Sequence, residues 1–196
     1  GALLIDIYHT MYPMLTLLIL LVLLNYLVET AIKVLNFKES KKPLHPTLAN
    51  LYSESEYQRS LEYSQANFTT SLANSTYSVL ILVIALLTGV FGAIDRWARE
   101  FTSSEILLAI IFFAVIFLIS DLLDLPFDLY GTFVIEAKFG FNKTTPKTFL
   151  LDKIKGYLLG GVLGGGLLAL IVFIYQNSGS AFWILGWLLL TLFSLV

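Results

Sequence analysis

Apolar positions in this chain come in long unbroken runs separated by dense polar segments, the pattern of helices that cross a bilayer. Five runs approach the roughly 20 helical residues that a hydrocarbon core of about 30 Å requires. The first covers Tyr12 to Val34 around MLTLLILLVLLNYLV, and the second runs from Tyr77 to Ile94 without a charge. The third occupies 102–120, where the apolar stretch Ile106 to Ile119 is extended by Thr102 to Glu105 and by Ser120. The fourth is Gly156 to Tyr175, and the fifth starts near Ala181 and is still apolar at Val196. None alternates as a barrel wall does, and lipid tolerates only helices or closed barrels. The predicted fold is therefore all-α: a polytopic membrane protein with five transmembrane helices and long helical segments between spans one and two and between spans three and four. No A-x-A-like cleavage site follows the first span, which is expected to stay as a signal anchor.

The polar segments carry helix signals of their own. Ser53 and Glu56 form an S-x-x-E capping box, and no Gly or Pro interrupts the chain from there to Gly89, so a helix is expected to pass unbroken into span two. Tyr57, Leu61, Phe68 and Leu72 form its stripe, which should be buried. Pro126 disfavours helix at Leu125, so span three should end there and a short helix begin, with Phe127, Tyr130, Val134 and Ala137 on one face. Gly140 is the expected stop. Thr145-Pro146 then provides an N-cap and first turn for a helix running through Lys153 and Lys155 into span four. The result is a re-entrant or interfacial elbow.

Composition agrees: 57% hydrophobic and 13% charged residues, with a mean hydropathy of +0.81, exclude an ordinary soluble domain. The basic residues orient the spans. Lys33, Lys38, Lys41, Lys42 and Arg59 lie between spans one and two, and Lys138, Lys143, Lys147, Lys153 and Lys155 between spans three and four. Only Arg96 and Arg99 lie on the other side. Both long segments are thus expected in the cytoplasm and the N-terminus outside, with Trp97, Tyr175 and Trp183 in an outer aromatic belt. The glycosylation patterns at Asn67, Asn74 and Asn142 then fall on the cytoplasmic side and read as chance. A net charge of −2 gives no case for nucleic acid, and the absence of Cys excludes disulfides and thiol catalysis.

The elbow resembles a known family. Leu125-Pro126, Tyr130, Thr132-Phe133-Val134-Ile135-Glu136, Lys138, Gly140-Phe141-Asn142, Thr145, Asp152 and Ile154-Lys155 resemble the signature of the membrane metalloproteases that include the type I CAAX prenyl endopeptidases. A second match lies in Tyr57, Arg59-Ser60, Tyr63-Ser64, Phe68 and Tyr77-Ser78. Ala137 departs from the family, which often carries a second acidic residue there. The resemblance implies the membrane part of a zinc endopeptidase. Its spans wall a chamber in the bilayer, and its catalytic domain, with an H-E-x-x-H helix and a later Glu on the metal, follows Val196. It makes Pro126, Tyr130, Glu136, Lys138, Gly140, Phe141, Asn142, Asp152 and Lys155 a structural elbow or one that docks this catalytic domain. Implied partners are the bilayer, that domain and a peptide or protein substrate; the implied compartment is a bacterial cytoplasmic membrane or a eukaryotic endoplasmic reticulum membrane.

The chain itself lacks H-E-x-x-H, so no catalytic or metal residue is assigned within it, and zinc is expected only in the full-length protein. His9 and His45 fall on opposite sides of the membrane and read as interfacial and loop residues. Asp121, Asp124 and Asp128 read as a solvated or Lys-paired face, with Lys153 or Lys155 as the cation. Asn25 reads as a hydrogen-bonding residue between helices, with an aqueous lining role as the other option. Gly156, Gly160 and Gly164, with Gly161 and Gly165, form a small-xxx-small helix-packing face. The alternative to a protease half is a non-enzymatic membrane scaffold that binds another protein or a lipid.

Overall fold

The computed structural model describes residues 2–41 and 53–195, with side chains from residue 13 onward. His45 and the side chain of His9 lie outside the described residues. Among those described there is no strand. Helix α1 spans Ala2–Ser40, α2 Glu54–Thr88, α3 Val90–Ala98 and α4 Glu105–Tyr130; a π-helical segment, Gly131–Glu136, joins α4 to α5, Ala137–Phe139. Helix α6 spans Pro146–Ser178, and a short 3-10 turn, Gly179–Ala181, leads to α7, Phe182–Ser194. Four stretches are long and apolar enough to cross a membrane: Pro13–Ser40, Glu54–Thr88, Glu105–Phe139 and Pro146–Ser194, the last holding both α6 and α7. The residues group into two compact units, Gly1–Val90 with Asp124–Lys143, and Phe91–Leu123 with Thr144–Val196.

In the first unit, α2 begins where the capping box places it. Ser53 Oγ accepts from the Glu56 amide at 3.2 Å, and the Glu56 carboxylate accepts from the Ser53 amide at 2.9 Å. These bonds, first from the Ser53 backbone and then from its hydroxyl, hold the Glu56 carboxyl below its ordinary range. The helix runs on without a break for 35 residues. It stops sooner than the apolar run does: Gly89 takes φ 71°, the left-handed conformation of a helix C-cap, and its amide donates to Ala85 O. The run from Tyr77 to Ile94 is thus divided between α2 and α3. The stripe of Tyr57, Leu61, Phe68 and Leu72 is half-buried rather than enclosed.

Helix α1 lies antiparallel to α2. Tyr26 Oη and Thr76 Oγ1 are 2.7 Å apart, and further along Phe37 stacks on Phe68 with centroids at 4.2 Å and planes 3° apart. Such seams suit a medium in which apolar burial does not drive helices together. Only Ala98, Leu108, Ile135 and Phe139 are buried hydrophobics among the described residues. Two of the four belong to the elbow.

There the structure corrects the sequence reading. Helix α4 does not end at Leu125 but carries Pro126 inside it and continues through the π-helical segment to Phe139. Proline removes one amide and crowds the carbonyl four residues back, yet membrane helices tolerate it where local adjustments re-satisfy the freed groups. The π-helical turn, with its i→i+5 bonds, is wider than an α-turn. Its register differs from the expected 3-4 stripe: Phe127 is half-buried and Ile135 and Phe139 are buried, in steps that are multiples of four, whereas Tyr130 and Val134 are 50% and 49% exposed.

In the second unit, α6 starts as its sequence indicates. Thr145 Oγ1 accepts from the Thr148 amide at 3.2 Å, and Pro146 occupies the first turn. The helix passes through Lys153 and Lys155 without interruption to Ser178.

Candidate functional site

The elbow is built by the last turns of α4, the π-helical segment and α5, held against the polar first half of α2. Gly140 terminates α5 at φ 78°, a conformation that costs other residues a Cβ clash. The chain then folds back on itself: the amides of Phe141 and Asn142 both donate to Glu136 O, at 2.8 and 3.2 Å. Arg59 Nη2 on α2 donates to Phe139 O at 2.6 Å. A Cβ added at Gly140 would lie 3.4 Å from that same nitrogen. Glycine therefore serves both the backbone turn and the approach of the guanidinium.

Aromatic rings close the contact. Tyr63 meets Phe139 and Phe141 edge-on, with centroids at 5.3 and 4.9 Å, a favoured aromatic geometry. One helix earlier, Tyr77 packs on Phe127 at 5.4 Å, and Ser78 Oγ donates to Asp124 Oδ1 at 3.3 Å. Lys138 lies 5.1 Å from the Phe139 ring centroid. The elbow is thus clamped on its α2 side while Tyr130, Val134 and Phe141 remain about half exposed or more.

The predicted elbow residues separate. Pro126, Tyr130, Glu136, Lys138, Gly140, Phe141 and Asn142 all belong to this one assembly within the first unit. Asp152 and Lys155 belong to α6 in the second unit, where they pair with each other at 3.6 Å across an exposed surface. Arg59 and Tyr63, which are not among the elbow residues read from the sequence, hold the elbow against α2.

The aspartates divide as well. Asp121 takes Lys153 as its cation at 2.7 Å and also accepts from the Tyr157 hydroxyl, and Phe117 meets the Tyr157 ring edge-on at 5.9 Å. The side chains of Lys153 and Asp121 are only 17% and 23% exposed, more sheltered than the Arg99 pairs with Asp95 and Glu105 or the Lys155–Asp152 pair. Asp124 pairs instead with Ser78. Among the described residues no three His, Cys, Asp or Glu side chains gather as metal ligands.

At Gly156, Gly160 and Gly164 no neighbouring heavy atom lies within 4 Å of an added Cβ. The expected close helix approach is therefore not made among the described residues. Gly160 and Gly164 instead line a groove of about 510 Å³ with Phe113, Phe117 and Tyr157.

These features define a polytopic helical membrane domain in which two of the four buried hydrophobic side chains among the described residues, Ile135 and Phe139, lie in the elbow. The family model "CAAX prenyl protease N-terminal, five membrane helices" matches residues 32–196, and the chain belongs to that family. The CAAX prenyl protease 1 homolog of Oryza sativa subsp. japonica is 34% identical over 192 residues, covering 94% of this chain and 45% of that protein. The Arabidopsis thaliana homolog is 32% identical over 179 residues, covering 87% and 42%. The crystal structure of S. mikatae Ste24p superposes with a TM-score of 0.83 at 24% identity, over 92% of this chain and 44% of that one, which shows a shared fold. The chain thus spans less than half the length of these relatives.

Proposed function

We propose that this chain is the membrane half of an intramembrane zinc metalloendopeptidase that cleaves prenylated substrates, its helices forming a chamber wall and its elbow docking the protein's own C-terminal catalytic domain. The observation that carries this reading is the elbow's division of labour. One side is locked to α2 through Arg59 and Tyr63, the latter against Phe139 and Phe141, while Tyr130 and Val134 present exposed apolar surface. A rigid backbone with an unpaired apolar face is what a docking element requires. Membership of a family of N-terminal domains, and coverage of under half of each relative, support the reading that the elbow has a catalytic domain to meet. The zinc ion would be held by that partner and would activate the water that attacks the peptide bond.

The long polar segments are placed in the cytoplasm on the basic-residue bias, and the eukaryotic relatives favour the endoplasmic reticulum over a bacterial membrane. The test is cleavage of a prenylated peptide by the full-length protein carrying Glu136→Ala or Asn142→Ala. The expected result is reduced turnover with unchanged membrane insertion. Unchanged turnover in both variants would remove the docking role.

A further inference from the structure

The α1–α2 seam carries a cation, Lys33, that no carboxylate among the described residues neutralises. Lys33 and Glu29 stand one turn apart on α1, the spacing at which such a pair normally forms on a helix. They do not pair. Glu29 accepts from Asn25 Nδ2 at 3.0 Å, one turn deeper, whereas the Lys33 ammonium crosses to α2 and donates to the neutral Ser75 hydroxyl. Among the described residues no carboxylate lies within ion-pair distance of Lys33, which is half-buried within an apolar spanning helix. Ionisable groups in such helices are costly and are normally paired. On the same helix face the Thr30 hydroxyl oxygen is buried without a partner.

The surroundings of Lys33 supply donors. Lys33 and Asn36 face Ser60, Ser64, Asn67 and Ser71 of α2 across a groove of about 520 Å³. The α2 residues recur in steps of four, three and four, so they form one polar stripe. Beyond the Lys33–Ser75 bond the seam continues as a second groove, whose deep end is lined by Leu21, Val22, Val79 and Leu82. From Asn36 to Leu21 the helix extends about 22 Å. The seam therefore has a cationic, hydrogen-bonding end and an apolar end, and Glu29 between them repels an anion from the deeper half.

We propose that this seam binds the phosphate of an anionic phospholipid, with Lys33 as counter-ion, Asn36, Asn67 and the α2 hydroxyls as donors, and an acyl chain along the apolar end. The inference needs only the membrane fold and is independent of the protease reading. The chemistry recognised is a phosphate oxyanion; the apolar continuation selects a lipid as its source.

The test is native mass spectrometry of the full-length protein titrated with phosphatidylglycerol, with phosphatidylcholine in parallel. Lys33→Gln is expected to weaken phosphatidylglycerol binding about tenfold or more, the scale of a lost charge-assisted bond. Lys33→Arg should restore it, and Lys38→Gln, an exposed lysine beyond the seam, should leave it unchanged. Asn67→Asp, which places a negative charge at the donor end without changing size, should weaken binding independently should Lys33→Gln fold poorly. Equal affinity in wild type, Lys33→Gln and Asn67→Asp would overturn the site. Displacement of the lipid by millimolar inorganic phosphate would overturn the lipid as its source.

Discussion

The guanidinium of Arg59 donates to the main-chain oxygen of Phe139 at 2.6 Å, joining α2 to a segment 80 residues further along the chain. That oxygen lies at the end of α5, where the left-handed Gly140 breaks the helix and leaves carbonyls without amide partners. A charged donor at that point does the work of a C-cap from another helix. It also explains why the elbow is well packed in a domain with few buried side chains.

Arg59→Ala is therefore expected to destabilise the elbow by about 1–3 kcal/mol, the range for a hydrogen bond to a charged group. Gly140→Ala should cost about 1–2 kcal/mol through backbone strain alone, and more where its methyl displaces Arg59. Thermal unfolding in detergent measures both. Wild-type melting in both variants would mean that the contact is incidental.

The sheltered triad of Asp121, Lys153 and Tyr157 makes a second prediction. Asp121→Asn should cost about 1–3 kcal/mol, between the values for exposed and buried pairs. A double-mutant cycle with Lys153→Met should show coupling between the two sites. Simple additivity would show that the pair contributes nothing.

Pro126 sits within a continuous helix, not at its end. Pro126→Ala restores a backbone donor and should preserve helical circular dichroism while raising stability by as much as about 3 kcal/mol. A loss of helix would contradict the continuous path from Glu105 to Phe139.

Helix signals that act within a few residues were legible in the sequence. The Ser53–Glu56 box, the Thr145-Pro146 start and the Gly140 stop all lie where their side chains and backbone preferences indicate. Lys153 as the partner of Asp121 is one of the two cations that the unfavourable helix-end position of the aspartates called for. What the sequence concealed depends on tertiary context. Pro126 reads as a helix boundary until the surroundings absorb its missing amide, and the π-helical turn at Gly131–Glu136 then shifts burial to Ile135 and Phe139. Gly89 ends α2 inside an apolar run that hydropathy alone treats as one span. The Arg59 contact has no pattern to find, because its acceptor is a backbone carbonyl.

The capping box gives a pH prediction. Hydrogen bonds from Ser53 hold the Glu56 carboxyl below its ordinary range. Its contribution is then present above that range and is lost as pH falls through the lowered value. Hydrogen exchange at the first turn of α2 should accelerate on acidification, beyond the intrinsic pH trend of exchange, and Glu56→Gln should abolish that extra dependence. An extra acceleration of the same size in the variant would assign it to another group.

The central claim is that the chain is one half of a zinc protease, and the most direct test is the intact mass and zinc content of the gene product isolated from its native membrane. The account predicts a mass well above 21.9 kDa and about one zinc per chain, as a single catalytic site holds. A mass of 21.9 kDa without zinc would contradict it.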